Sequence, residues 1–189
     1  MCYFSTGRIE KLAKEFFIEI QWRAFPLRPN LPLEGVSMKQ VAAEREFDRQ
    51  AMESRFKNIA AESGLDFVAN EKIYNSRKAH ELSVWATVNH QGTAFHNAIF
   101  RANYVEGKDI SSTEVLADLA ASLGLSREEA VKVLASDQFK DHVDQDWELS
   151  RDMDILAAPT FVMDKMKLVG AQPYETMVRF VLDNGAQRK

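Results

Sequence analysis

The stretch Leu156-Ala157-Ala158-Pro159-Thr160-Phe161-Val162-Met163 places a proline at the head of a short apolar run. Proline has no N–H to donate to a sheet, so Pro159 is expected at the first residue of a strand. A turn at Asp164-Lys165 and a second run, residues 167–170, complete a predicted hairpin. On local grounds a trans bond is expected before Pro159, because only about 5–6% of such bonds are cis in folded proteins. A cis bond would leave the backbone of Ala158 exposed for pairing.

The start of the chain shows two regular patterns. Apolar residues recur at helical spacing up to Phe16, which predicts an amphipathic helix from Ser5 or Thr6. Residues 1–4 then lie at the N-terminus of that helix, where the dipole and the free N–H groups favour an anion. Residues 18–24 alternate between apolar and polar side chains, which predicts a half-buried strand.

The middle of the chain carries a series of helix signals. Capping boxes begin at Ser37, Ser111 and Ser126, and the first is predicted to open one helix that ends near Gly64. A last helix is expected after Pro173. The pattern therefore predicts an α/β domain formed by residues 1–36 and 155–189, with a helical domain, residues 37–154, inserted into it.

Composition narrows the classes of function. The chain has 189 residues, a net charge of −4 and 46% hydrophobic residues, as expected for a globular protein without a nucleic-acid surface. No apolar run has membrane-spanning length. Cys2 is the only cysteine, which excludes an internal disulfide and favours a reducing, cytoplasmic location. No spacing of the four histidines predicts a metal site, and His80 is expected to be a packed core residue.

The order of motifs resembles the DsbA-like branch of the thioredoxin superfamily, and within it the FrnE-like, cytoplasmic DsbA oxidoreductases. The resemblance covers essentially the whole chain. The motifs that carry it are Cys2-Tyr3, Phe25-Pro26-Leu27-x-Pro29, Asn75-Ser76-x-x-Ala79-His80-x-Leu82, Phe100-Arg101-Ala102-x-Tyr104-x-Glu106-Gly107-x-Asp109-Ile110, Val115-Leu116, Val133-Leu134, Ala158-Pro159-Thr160-Phe161 and Gly170-Ala171-Gln172-Pro173. It implies an α/β fold in which a thioredoxin-like domain carries an inserted all-helical domain.

The resemblance also implies a site. Cys2 and Pro159 are the implied catalytic residues, with Pro159 as the cis-proline, and Ala158, Thr160 and Tyr3 are implied to bind substrate. Family members carry a strand that ends in a Cys-Pro-Trp-Cys-Tyr type sequence, whereas only Cys2-Tyr3 is present here, so Cys2 matches the second, resolving cysteine. We expect from this that Met1 is not the natural start, and that an upstream segment supplies the first strand and the attacking cysteine.

The implied function is that of an enzyme, a thiol–disulfide oxidoreductase acting on protein or small-molecule disulfides. No bound cofactor is expected, and glutathione is left open as a co-substrate. Expected partners are thiol or disulfide substrates, without nucleic acid or membrane, and a homodimer is left open. Two alternatives remain: a glutathione-dependent isomerase or transferase of the 2-hydroxychromene-2-carboxylate isomerase or kappa type, and a redox-inactive peptide-binding or chaperone-like protein.

Overall fold

The computed structural model describes residues 1–189 and contains nine α-helices and four short strands. The helices are α1 (Thr6–Glu15), α2 (Met38–Glu44), α3 (Arg49–Glu62), α4 (Arg77–Val88), α5 (Gly92–Tyr104), α6 (Thr113–Ser122), α7 (Arg127–Ser136), α8 (Lys140–Asp152) and α9 (Tyr174–Asp183). The strands are β1 (Val36–Ser37), β2 (Lys72–Ile73), β3 (Thr160–Met163) and β4 (Met166–Val169). They form two separate antiparallel pairs, β1 with β2 and β3 with β4.

The two ends of the chain share one core. Apolar residues at helical spacing on α1 and α9 pack together, and the β3–β4 hairpin covers them. The members of this core are Ile9, Leu12, Phe16, Met177 and Val181, with Phe161, Met163 and Leu168 from the hairpin. The backbones of the two ends are also joined by a hydrogen bond. The N–H of Phe17 donates to the carbonyl of Gln187, with 2.9 Å between nitrogen and oxygen. The packing thus fixes the start of the chain against its end.

The predicted hairpin is confirmed. Phe161 pairs with Leu168 in the antiparallel register, and Asp164 takes a left-handed conformation at the turn, with φ of 53°. The strand β3 begins at Thr160, one residue later than expected. Pro159 therefore precedes the ladder, where its missing N–H costs no hydrogen bond of the sheet.

The predicted strand over residues 18–24 is wrong. Its side chains do alternate, with Ile18, Ile20 and Trp22 half-buried and the residues between them exposed. However, the backbone N–H groups of residues 19–23 have no hydrogen-bond partner, and β3 pairs only with β4. Alternation decides which side chains face a core, whereas a strand also needs a second backbone beside it. Residues 18–24 are an extended segment without such a neighbour.

A buried carboxylate holds this extended segment to the helical block. Asp146 on α8 accepts a hydrogen bond from the N–H of Ala24 over 2.8 Å and one from the Arg23 guanidinium over 3.1 Å. The Asp146 side chain is only 10% exposed. Trp22 stacks on His96 of α5, with ring centroids 3.6 Å apart. The segment is therefore positioned by side chains and not by a β-ladder.

The helical block has its own core, which is the largest in the molecule. Fifteen buried residues, most of them on α4, α5, α6 and α7, form one cluster. Leu82, Phe95 and Leu116 at its centre are fully buried. The cap predicted at Ser126 is present, since its hydroxyl accepts a hydrogen bond from the N–H of Glu129. The domain boundaries proposed from sequence stay a prediction.

One predicted helix is two. Ser37 caps α2 as expected, but α2 ends at Glu44 and a new helix, α3, begins at Arg49. Glu46 between them has a φ of 50°, which is incompatible with a continuous α-helix. The Asp48 carboxylate then accepts hydrogen bonds from two N–H groups of the first turn of α3. An aspartate cap inside an apolar helical pattern starts a second helix.

Phe16 and Phe17 provide a matched test of the shared core. Phe16 is fully buried, whereas the adjacent Phe17 is 68% exposed. Phe16→Ala is expected to lower the free energy of unfolding by about 3–5 kcal/mol, because it leaves a cavity between α1 and α9. Phe17→Ala is expected to change it by less than about 1 kcal/mol. Chemical denaturation measures both, and equal losses in the two variants would contradict this core.

Candidate active site

Cys2 lies directly before a short 3-10 turn, Tyr3–Ser5, that runs into α1. Its carbonyl accepts a hydrogen bond from the N–H of Ser5 over 2.9 Å, which continues the helical turn back to the cysteine. The thiol side chain is half-buried and unpaired. The sequence-predicted position of Cys2 at a helix start is therefore the position that the structure shows.

The environment of the Cys2 thiol opposes ionisation. Burial raises the pKa of Cys2 above its ordinary value. The neighbouring amino group and a backbone hydrogen bond act to lower this pKa, but desolvation by burial is the larger effect. At neutral pH the thiol form of Cys2 therefore predominates, and any reaction of its sulfur as a nucleophile proceeds through a small thiolate fraction.

Tyr3 is built into an aromatic cluster. Its ring stacks on Tyr104 with centroids 5.3 Å apart and contacts Phe4 and Phe100. Its hydroxyl donates to the carbonyl of Asp66 over 2.8 Å. The hydroxyl of Tyr3 is therefore used within the protein, and only its ring is left to contact a ligand.

In the loop before β3, the backbone groups of Leu156 and Ala158 have no hydrogen-bond partner within the chain. The Ala158–Pro159 peptide bond is cis. The carbonyl of Pro159 accepts from the N–H of Gly170 over 2.8 Å, and the Thr160 hydroxyl donates to the carbonyl of Ala157 over 2.7 Å. The N–H and C=O of Ala158 make no hydrogen bond within the chain. Both groups are available to another backbone.

A large cavity, here called the aromatic groove, is lined by Met1 and Tyr3, the two neighbours of Cys2 in the chain. It encloses about 760 Å³ and is lined mainly by apolar side chains. Its aromatic members include Tyr3, Phe4, Phe56, Phe67, Tyr104 and Trp147. Cys2 lies close enough to Tyr104 for a thiolate to raise the pKa of the Tyr104 phenol, although burial is the larger cause of that increase.

The sequence alone does not define the groove. Its lining comes from the chain start, the proline-rich loop after residue 24, α3, residues 67–77, α5 and α8. Helical spacing places Phe56 on a buried face, and that pattern does not distinguish a core from a groove wall. Several motifs that carry the resemblance line the groove, among them Tyr3, Phe25-Pro26-Leu27 and Tyr104. None of them indicates a groove, because its parts meet only in the folded chain.

Only some of the predicted site residues lie at or next to the aromatic groove. Tyr3 lines the aromatic groove, and Cys2 directly precedes it in the chain. Pro159, Ala158 and Thr160 are outside the groove, and no hydrogen bond links them to Cys2 or Tyr3. A facing arrangement of Cys2 and Pro159 stays a prediction.

A second cavity, here called the apolar slot, lies beside the hairpin. It encloses about 310 Å³ between the start of the extended segment, β3, α1 and α9. Twelve of its thirteen lining residues are hydrophobic, and Glu19 is the exception. The slot borders the unpaired edge of β3 and contains none of the predicted site residues.

His80 and His96 are packed residues of the helical block. Burial lowers the pKa of each to about 4, so both are neutral at pH 7. The Nδ1 atom of His80 and the Nε2 atom of His96 are buried without hydrogen-bond partners. No group of three His, Cys, Asp or Glu side chains is arranged to hold a metal ion. None of the helices combines the length and apolar character needed to cross a membrane.

Comparison with known proteins identifies the family. The model of the DSBA-like thioredoxin domain matches residues 1–181. The chain belongs to the DSBA-like thioredoxin domain family. This confirms the resemblance read from the motifs and the predicted α/β thioredoxin-like fold with a helical insertion. Members of this family are generally oxidoreductases or isomerases, so the chain belongs to that class at a coarse level.

Three solved structures are similar along almost the whole DSBA-like chain. The probable DsbA oxidoreductase SCO1869 from Streptomyces coelicolor has 25% identity and a TM-score of 0.88, covering 97% of this chain and 84% of that one. The 2-hydroxychromene-2-carboxylate isomerase has 19% identity and a TM-score of 0.77, covering 96% and 88%. The cytosolic disulfide reductase DsbM from Pseudomonas aeruginosa with GSH has 19% identity and a TM-score of 0.68, covering 96% and 93%.

The buried thiol gives a direct test of the environment of Cys2. Iodoacetamide reacts with thiolates, so alkylation of the folded chain at pH 7 is expected to be several times slower than alkylation of the urea-unfolded chain. Mass spectrometry follows the reaction. The difference in alkylation rate between the folded and the unfolded chain is expected to narrow at a pH above the pKa that Cys2 has in either state. Faster alkylation of the folded chain at pH 7 would contradict burial as the dominant effect.

The two buried histidines predict acid sensitivity. Their folded pKa values, about 4, lie below the unfolded value of about 6.5, so the unfolded chain binds more protons in between. The contribution of the two neutral histidines to the free energy of unfolding is therefore fully present above pH 6.5. It is expected to be lost as the pH falls from 6.5 to 4. His96→Phe, which keeps an aromatic ring against Trp22, is expected to flatten this dependence. Unfolding temperatures across pH 4–8 measure it, and an unchanged slope in the variant would exclude His96 as a cause.

Proposed function

We propose that this DSBA-like protein is a thiol–disulfide oxidoreductase that exchanges Cys2 with protein or small-molecule disulfides. The observation that carries the proposal is the position of the only cysteine, at the start of the first helix of a DSBA-like chain. The unpaired backbone of Ala158 beside Pro159 supports it.

The proposed step is a single exchange. The Cys2 thiol loses its proton to solvent base, and the thiolate attacks one sulfur of the disulfide. A bond forms between Cys2 and that sulfur, while the original S–S bond breaks and the second sulfur leaves as a thiolate with the electron pair. Glutathione, the thiol named with the similar DsbM structure, then attacks the substrate sulfur of the mixed disulfide as a thiolate. A disulfide forms between glutathione and the substrate, the bond to Cys2 breaks, and Cys2 leaves as a thiolate that takes up a proton.

The other predicted site residues act on the substrate and not on the sulfur. The free N–H and C=O of Ala158 pair with an extended substrate backbone, and Pro159 fixes the loop that presents them. The hydrogen bond from Thr160 to the carbonyl of Ala157 holds this loop to β3. The ring of Tyr3 forms part of the surface that the substrate meets.

Oxidised glutathione tests the proposal. Incubation is expected to add one glutathionyl group to the chain, and Cys2→Ser is expected to abolish the addition, as read by intact mass. Thr160→Val is expected to slow the reduction of insulin by glutathione about threefold to tenfold, because it removes one hydrogen bond of the loop. Alkylation of Cys2 should be unchanged in Thr160→Val, which separates substrate holding from thiol reactivity.

Two outcomes would replace the proposal. Glutathione binding without any thiol exchange would favour the glutathione-dependent isomerase or transferase reaction. Peptide binding that survives alkylation of Cys2, with no exchange activity, would favour a redox-inactive peptide-binding protein. The free backbone of Ala158 and the raised pKa of Cys2 are the observations that favour this second function.

A further inference from the structure

The aromatic groove contains one basic side chain that has no hydrogen-bond or ion-pair partner within the protein. Four basic residues line the groove: Arg28, Arg49, Lys72 and Arg77. Three of them have acceptors within the protein: Glu71 for Arg49, the carbonyl of Glu34 for Lys72, and Glu81 with Asp144 for Arg77. Arg28 forms neither an ion pair nor a side-chain hydrogen bond.

The surroundings of Arg28 leave its charge uncompensated. The side chain is half-buried, and both burial and the nearby charge of Arg45 lower the pKa of the guanidinium. The only acidic residue that lines the groove is Glu53, and it pairs with Lys57 over 2.7 Å. A guanidinium that lacks a carboxylate in a mainly apolar wall attracts an anion from outside the protein.

The rest of the groove determines the body of that ligand. Of its 29 lining residues, 18 are hydrophobic, and the stacked pair of Tyr3 and Tyr104 forms part of the wall. Flat aromatic walls favour offset stacking with a flat ligand. A volume of about 760 Å³ lies in the range of small-molecule sites, about 300–1,000 Å³.

We propose that the aromatic groove binds a small aromatic molecule with one anionic group, and that this anion lies against Arg28. The binding itself does not depend on the thiol. The charge, the aromatic walls and the size together favour a small acid over a peptide segment.

Two dyes that share a naphthylamine core separate charge from shape. The probe is 8-anilinonaphthalene-1-sulfonate, an aromatic anion, and its neutral comparison is N-phenyl-1-naphthylamine. Fluorescence titration is expected to show one site for the anion. Arg28→Gln is expected to weaken its binding about tenfold, because a charge-assisted hydrogen bond is lost, and to leave the neutral dye unchanged. Arg55→Gln, at an exposed arginine of α3 outside the groove, is the matched control and should change neither affinity.

Two substitutions of opposite charge at Leu33 give a second test of the proposal that leaves Arg28 unchanged. Leu33 lines the groove and is 72% exposed, so substitution there is compatible with folding. Leu33→Lys is expected to strengthen binding of the anionic dye and Leu33→Asp to weaken it, with unfolding temperatures unchanged. Equal affinities in wild type, Arg28→Gln and both Leu33 variants would overturn the proposal, as would binding of acidic peptides in the groove with no binding of the anionic dye.

Cys2→Ser distinguishes this proposal from the proposed function. The variant cannot exchange disulfides, yet it is expected to bind the anionic dye with wild-type affinity. Loss of dye binding in Cys2→Ser would contradict a site that is independent of the thiol. If the wild-type chain binds the dye but shows no disulfide exchange, the proposed ligand site stands and the proposed oxidoreductase activity is wrong.

Discussion

The position of the extended segment, residues 18–24, depends on the buried carboxylate of Asp146. A strand inside a sheet is held by many backbone hydrogen bonds to its neighbours, whereas residues 19–24 make no backbone–backbone hydrogen bond. Asp146 supplies two acceptors instead, one for the N–H of Ala24 and one for the guanidinium of Arg23. A buried charge without its partners is strongly destabilising, so the carboxylate of Asp146 requires the hydrogen bonds from Ala24 and Arg23. The chain continues from Ala24 into Phe25 and the proline-rich loop that forms one wall of the aromatic groove.

The secondary structure was largely readable because local chemistry determines it. Helical spacing and a serine cap were sufficient for α7, and a proline followed by two apolar runs was sufficient for the β3–β4 hairpin. The break between α2 and α3 was missed, because the left-handed conformation of Glu46 has no apolar signature. The alternation of apolar and polar residues over 18–24 does not distinguish a strand from an extended segment, because side-chain burial alternates in both.

The candidate site was only partly readable from the sequence. The helix start at Cys2 and the Ala158-Pro159 loop each have local signals, which the motif resemblance brought together. Several motifs line the aromatic groove, but none of them predicts it, since the groove depends on side chains up to about 140 residues apart, from Tyr3 to Trp147. The lack of a partner at Arg28 is likewise a property of the folded chain, because any arginine in a sequence can have an acidic neighbour in space. Burial raises the pKa of Cys2 and lowers that of His96 for the same reason, which is loss of solvation of the charged form.

The wall of the aromatic groove also contains three methionines, Met1, Met38 and Met52. Their thioethers are flexible and apolar, and they fit ligands of different shapes. Oxidation converts a thioether into a sulfoxide, which is polar and chiral. The apolar character of the groove therefore depends on the oxidation state of residues that take no part in thiol exchange. An oxidant that reaches this molecule has two different targets, the thiol of Cys2 and the thioethers of the groove wall.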